Sequence, residues 1–226
     1  MLKRMTGPVL FLYIAEVDYP PEQLGRDGGF TAWYANRHAP DLIRSGFRTA
    51  TSYRAVIGGL AALNVYEVPD TSVFAGPIYK GVLPGDPYGA EVRGTSAGRQ
   101  RAQTAYLERL ALPADAGPMN ADWVSLARFA LAEAEDEALV AWVRGELQAR
   151  LAPLGAKRVR LGTRTVEKIG AGTHRPRCVV LAEWPTQPPK AADLQPLLAS
   201  RFGAAVSDAD GFVGWRAYPW LDAKRS

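Results

Sequence analysis

Residues 30–48, FTAWYANRHAPDLIRSGFR, decide the fold, because their pattern returns later in the chain without its histidine. Trp33, Tyr34, Arg37, His38, Asp41 and Leu42 recur at spacings of three and four, the spacing of one helix side. Gly28 and Gly29 lead into the segment, and Gly46 follows it where a C-cap is needed, since glycine accepts the left-handed conformation that ends helices. Pro40 lacks an N–H and disfavours a helical Ala39. A break or kink is therefore expected there, with Pro40 opening a last turn. Such a kink frees backbone carbonyls near His38 and turns its ring out of the helix.

The second copy is AWVRGELQARLAPLGA, which aligns with AWYANRHAPDLIRSGF without a gap. Trp33 then matches Trp142 and Gly46 matches Gly155, while His38 faces Leu147, Tyr34 faces Val143 and Asp41 faces Arg150. YEVPD aligns with AEWPT, pairing Glu67 with Glu183 and Pro69 with Pro185. The order of elements repeats as well. Residues 8–17, PVLFLYIAEV, make a strand with apolar side chains on both alternating faces, as in a sheet covered on both sides. The helix follows, then the strands FRTATSYRAVI and LAALNVYEV joined by Gly58 and Gly59, a short helix in TSVFAGPIYKG, and the strand RAQTAYLERLAL. That is β-α-β-β-α-β, the ferredoxin-like arrangement. Residues 81–100 read as a long glycine-rich loop, placed either over a pocket or as a bare connection.

PADAGPMNA, 113–121, reads as a linker. DWVSLARFAL, a helix in EDEALVAWVRGELQARLAPLG, the strands AKRVRLGTRTVE and CVVLAEW, a helix in AADLQPLLASRFG interrupted or restarted at Pro196, and the strand DGFVGWRAYPW complete the second set. The fold class is α+β: two tandem ferredoxin-like units, 1–112 and 122–226, flank the linker, and the His38 site belongs to the first.

Hydrophobic content of 47% and charged content of 22% are ordinary for a globular chain of 226 residues with a real core. A net charge of +4 is too mild and too scattered to argue for nucleic acid or membrane. Lys157, Arg158 and Arg160 read as a short solvated patch. The single Cys178 forms no internal disulfide, which fits a reducing cytoplasm, and its apolar run reads as core. Nearby His174 raises a nucleophilic role for Cys178, but no motif supports one. The start, MLKRMTGPVLFLYIA, resembles a signal peptide only superficially, because the apolar run is short and acidic residues follow at once.

Histidine titrates near neutrality, so His38 is the candidate proton carrier. Asp41 could orient it, and Tyr34 could donate a hydrogen bond to a substrate oxygen. The competing reading is a helix-end histidine that bonds a backbone carbonyl. Trp33, Tyr53 and Tyr66 are candidates for an aromatic wall, and Arg37, Arg48 and Arg54, with Arg128 and Arg216, for a substrate carboxylate. Solvated edge arginines are the plainer reading. The two histidines and scattered carboxylates lack metal-ligand spacing, and no glycine-rich phosphate loop is found.

Trp33, Tyr34, His38, Pro40, Asp41 and Gly46, followed by the Arg/Tyr-bearing strand and the YEVP strand, resemble the EthD-like members of the dimeric α+β barrel superfamily. The resemblance covers most of residues 8–112, and the second half resembles the fold by element order alone. It implies two sheets closing a barrel within one chain, with helices outside. Relatives include cofactor-independent monooxygenases, cyclases, isomerases, decarboxylases and haem proteins, so the fold does not name the reaction. In cyclase-like relatives a histidine near the barrel opening serves as base, a role the resemblance passes to His38. The expectation is a lyase-, isomerase- or cyclase-type enzyme with no cofactor and no metal, acting on a small, largely apolar carbonyl or phenolic compound. A homodimer is compatible with it. The alternatives are a non-catalytic small-molecule binder and a haem protein with His38 or His174 as axial ligand.

Overall fold

The computed structural model describes residues 10–25, 27, 29–82, 101–164 and 176–219. The residues before Leu10, residues 83–100 of the expected loop, and His174 lie outside these. The strands are β1 (Phe11–Val17), β2 (Thr49–Gly58), β3 (Ala62–Val68), β4 (Arg101–Leu112), β5 (Trp123–Ala130), β6 (Arg158–Arg164), β7 (Cys178–Trp184) and β8 (Ser207–Tyr218). The helices are α1 (Pro21–Leu24), α2 (the run 29–44), α3 (Pro77–Val82), α4 (the run 136–151) and α5 (Leu194–Phe202).

The strands close one antiparallel barrel in the order β1-β3-β2-β8-β5-β7-β6-β4. Strands β1–β4 form one arc, β4-β1-β3-β2, and β5–β8 form the other, β8-β5-β7-β6. The arcs meet at β2–β8 and β4–β6. Closure leaves no unpaired sheet edge. Gly58 and Gly59, at φ 64° and 65°, make the tight β2–β3 connection that the sequence called for.

Side chains sort by strand alternation into three apolar cores. The barrel interior holds Leu12, Ile14, Tyr53, Leu63, Val65, Tyr106, Met119, Val124, Leu126, Val179, Leu181 and Phe212. The outer face of the first arc packs with α2 through Tyr13, Ala15, Trp33, Tyr34, Leu42, Phe47 and Tyr66. The outer face of the second arc packs with α4 and α5 through Phe129, Leu139, Val143, Leu147, Leu151, Val180 and Leu198. Met119 belongs to the 113–121 connection, which therefore does more than join. Its Met119 N–H donates to Glu67 Oε2 at 3.0 Å, and its Gly117 carbonyl accepts from Arg158 Nη1 at 2.6 Å.

The Arg158–Arg160 patch is not solvated. Both arginines point into the barrel, at 4% and 1% exposure. Arg160 bonds Glu67 and lies 2.9 Å from Glu183 and 3.4 Å from Glu108, while Arg158 bonds Glu183 at 2.6 Å. Toward the other end of the interior, Arg128 bonds Glu16 and, at 2.6 Å, Asp210. Burial alone would raise the Glu67 carboxyl, but the adjacent Arg160 outweighs it and holds the group below the carboxylate range. For Glu108 burial wins, and its carboxyl is raised. In R-V-R-L the arginines alternate with apolar residues, which ordinarily means apolar-in and polar-out. Here the apolar face meets the helices, and barrel closure turns the arginine face inward.

Of the two outcomes expected at Pro196, a restart is found: a short 3-10 turn, Lys190–Ala192, ends before α5 begins. The helix starts at Leu194 with Asp193 as N-cap, accepting from Gln195 N, so Pro196 falls in the first turn, where its missing N–H has no helical acceptor to lose.

Candidate active site in the first helix layer

The run α2 has three pieces: an α-turn Gly29–Trp33, a π-turn Tyr34–His38 and an α-helix Ala39–Arg44. The wider turn is the kink expected near Pro40. Proline does not cause it, because α4 carries the same π-turn at Val143–Leu147, where Ala149 stands in place of Pro40. The two π-turns lie at the same offset as the aligned tryptophans, and Gly46 and Gly155 follow both with φ of 108° and 103°.

A π-turn brings residues five apart into register. His38 thus stacks on Trp33, at 4.5 Å between ring centroids and 25° between planes, and sits 5.7 Å from the Tyr34 ring. Spacings of three and four did not foretell the Trp33–His38 stack. The imidazole is half-buried and lines a cavity of about 50 Å³ with Tyr13, Trp33, Tyr34, Asn64, Tyr66 and Gln103 among its other walls. This cavity lies between α2 and the outer faces of β1, β3 and β4. It is not at the barrel opening, the position the resemblance implied, because the α2 side that carries His38 packs on the outside of the barrel wall.

Tyr34 is 1% exposed and Tyr66 2%. Burial pushes the Tyr34 phenol far above its ordinary range, and the neighbouring Tyr66 side chain offsets that only in part. Tyr34 therefore stays protonated at physiological pH and acts as a hydrogen-bond donor, never as a base. Tyr13 stacks on Tyr66 at 5.5 Å. The wall thus combines apolar ring faces with hydroxyl and amide groups around one imidazole.

Of the residues singled out in the sequence, Trp33, Tyr34, His38 and Tyr66 meet here. The others do not. The Asp41 carboxylate pairs with Arg44, one turn along the helix surface, so the partner expected to orient His38 is engaged elsewhere. Arg37 and Arg48 are exposed. Tyr53 faces the barrel interior and donates to the Ala121 carbonyl at 3.2 Å. Arg54 is buried beside a neighbouring cleft. Arg128 is an interior ion-pair residue, and Arg216 bonds Asp122 at 2.7 Å. Asn64, Tyr13 and Gln103 were missed. Only the strand register, with Tyr13 opposite Tyr66 and Ala15 opposite both Asn64 and Gln103, brings them under α2. Cys178 is fully buried, and burial pushes its thiol up to about 11, which fits a core residue and not a nucleophile. Among the described residues, no cluster of three His, Cys, Asp or Glu side chains is placed to hold a metal, and no helix is long and apolar enough to cross a membrane.

No protein-family model and no curated protein sequence matches the chain. Solved structures match it over nearly its whole length. An anthrone oxidase-like protein superposes with a TM-score of 0.59 at 16% identity, covering 94% of this chain and 93% of its own. A putative monooxygenase from Lactobacillus acidophilus NCFM gives 0.56 at 13% identity, covering 92% and 94%. A mutant chlorite dismutase from Candidatus Nitrospira defluvii gives 0.51 at 11%, covering 94% and 92%. At such identities the likeness concerns the fold alone, here a closed eight-stranded antiparallel barrel with helices packed outside it.

Proposed function

We propose that the chain is a small-molecule enzyme built from two tandem ferredoxin-like repeats, 1–112 and 122–226, with one site, at His38. The matched π-turns, the matched glycine caps and the equivalent strand orders support the duplication. Its affinity to the EthD-like branch rests on the Trp33–Gly46 residues. The observation that carries the catalytic reading is an imidazole lining a cavity beside a tyrosine hydroxyl that burial holds protonated.

His38 takes a proton from carbon next to a carbonyl, or from a phenol, through a ring nitrogen. The electron pair moves onto oxygen, and Tyr34 or Tyr66 donates a hydrogen bond to the resulting oxyanion. Returning the proton to a different carbon completes an isomerase step; in a cyclase step the enolate carbon attacks a second carbonyl of the same molecule, whose π electrons go to its oxygen, and His38 returns the proton to that alkoxide. A cavity of about 50 Å³ admits the reacting end of such a compound, not a whole ring system, which sets the substrate as small or entering end-on. The similarity to an anthrone oxidase-like protein and to putative monooxygenases fits an enolisable or phenolic substrate. A haem does not fit the His38 cavity. It is far below the roughly 300–1,000 Å³ that drug-sized ligands need, and Trp33, Tyr34 and Tyr66 fill the space a macrocycle would take.

The test is hydrogen–deuterium exchange of acetylacetone and acetophenone in D2O, followed by NMR. The native chain should accelerate exchange for at least one of them, and His38→Gln should lower that acceleration by about 100-fold or more. Exchange equally fast with the variant would overturn the assignment. Binding of either compound to the native chain with no acceleration would favour the non-catalytic binder.

A further inference from the structure

Four described arginines are buried: Arg54, Arg128, Arg158 and Arg160. Three of them face carboxylates inside the barrel. Arg54 differs. Its Nε donates to the Leu24 carbonyl at 3.2 Å, Nη1 to Ser52 Oγ at 2.9 Å and Nη2 to Thr31 Oγ1 at 2.7 Å, all neutral acceptors. Its guanidinium lies 5.4 Å over the Phe30 ring. No carboxylate of the described residues pairs with it, although the residue is only 5% exposed. A desolvated cation without a counter-charge is costly, and proteins normally match it.

This arginine lines a cleft of about 860 Å³ outside the His38 cavity, and the two spaces share Tyr19. The cleft's other walls include Pro20, Pro21, Leu24, Ala55 and Trp215. Trp215 is paired directly with Arg54 across β2–β8 and is 40% exposed, which makes it an open aromatic platform on the same face as the arginine. Arg216 also lines the cleft, with its charge already answered by Asp122. Asp18 contributes one carboxylate to the wall.

We infer that this cleft binds an organic monocarboxylate, with Arg54 holding the carboxylate and Trp215 stacking on a planar apolar body. The volume falls within the range of small-molecule sites. Each terminal nitrogen of Arg54 retains one N–H beyond the bond it makes, the fork that a carboxylate takes with two oxygens. One unanswered positive charge with Asp18 nearby suits a single negative charge and disfavours a dianion. Burial lowers the Arg54 guanidinium to about 10, in keeping with a charge that an incoming anion would stabilise.

Benzoate, benzamide and inorganic phosphate are the probes, titrated into the full chain by calorimetry and by saturation-transfer NMR. Benzoate should bind at least about tenfold more tightly than benzamide, its neutral isostere, and phosphate should not displace it. Trp215→Ala, at a largely solvent-facing position, should weaken benzoate several-fold, and Arg54→Met should abolish binding while circular dichroism reports the fold. If Arg54→Met does not fold, the benzoate–benzamide ratio and Trp215→Ala decide. Equal binding of benzamide, displacement by phosphate, or unchanged affinity in Trp215→Ala would each overturn the inference. His38→Gln should leave benzoate affinity unchanged, so this site stands or falls apart from the proton-transfer reading.

Discussion

The two helix layers share a backbone plan and differ in chemistry. Each has a tryptophan before a π-turn, a leucine further along and a left-handed glycine after the helix: Trp33, Leu42 and Gly46 against Trp142, Leu151 and Gly155. The strand register extends the match, since Tyr13 opposite Tyr66 corresponds to Ser125 opposite Ala182, and Ala15 opposite Asn64 to Ala127 opposite Val180. Position by position, Tyr34, His38, Asn64 and Tyr66 stand where the second layer has Val143, Leu147, Val180 and Ala182. The second layer is continuous apolar packing, and the first is a cavity with hydroxyl, amide and imidazole groups on its wall. Two helices with the same kind of π-turn serve one as core and one as a candidate site, so the π-turn itself is not the functional signal. What its fifth residue carries is.

The barrel interior, unlike the layers, belongs to both halves at once. Arg160 comes from β6 and bonds Glu67 on β3, so removing it should have the largest effect. Arg160→Met leaves Glu67, Glu108 and Glu183 buried without their shared cation, and a loss of about 3–5 kcal/mol in urea unfolding is expected. A loss below about 1 kcal/mol would show that the halves are joined by strand pairing alone. Next come the layers. Leu147→Ala, at a fully packed site, should cost about 2–5 kcal/mol. His38→Leu, which makes the first layer resemble the second, should change stability by less than about 1 kcal/mol while removing the exchange activity. Equal costs at the two positions would break the contrast between core and site.

The last contrast appears only at alkaline pH. The buried Tyr34, Tyr53 and Tyr106 phenols are all raised, chiefly by burial. A group whose folded pKa lies above its unfolded value contributes stability that is complete below the unfolded pKa, here about 10, and that drains away as pH climbs past it. Stability measured by urea titration should therefore hold to about pH 10 and then fall by up to about 1.4 kcal/mol per pH unit for each phenol. Tyr34→Phe should make that fall shallower by about one phenol's share. An unchanged slope would mean that Tyr34 ionises freely in the folded chain.

Much of this was readable beforehand from particular residues. Alternation in PVLFLYIAEV and CVVLAEW marked two-sided strands, Gly58–Gly59 marked the hairpin, and the gapless match of Trp33–Gly46 to Trp142–Gly155 marked both long helices. His38, Tyr34, Trp33 and Tyr66 converge as one aromatic set. Asp41 went astray because spacing places it one turn from both His38 and Arg44 and cannot rank the two. Tyr53 went astray because a strand residue's face is settled only when it is known which side the helices cover.

By itself the sequence determined the elements, their order and the lone imidazole, because period, turn chemistry and capping act between residues close along the chain. Only the tertiary structure decided which strand faces look inward, that Arg158 and Arg160 are buried against Glu67 and Glu183, and that Arg54 meets no carboxylate among the described residues. Those outcomes depend on closing the barrel, which brings together charges some hundred residues apart and which no local pattern encodes.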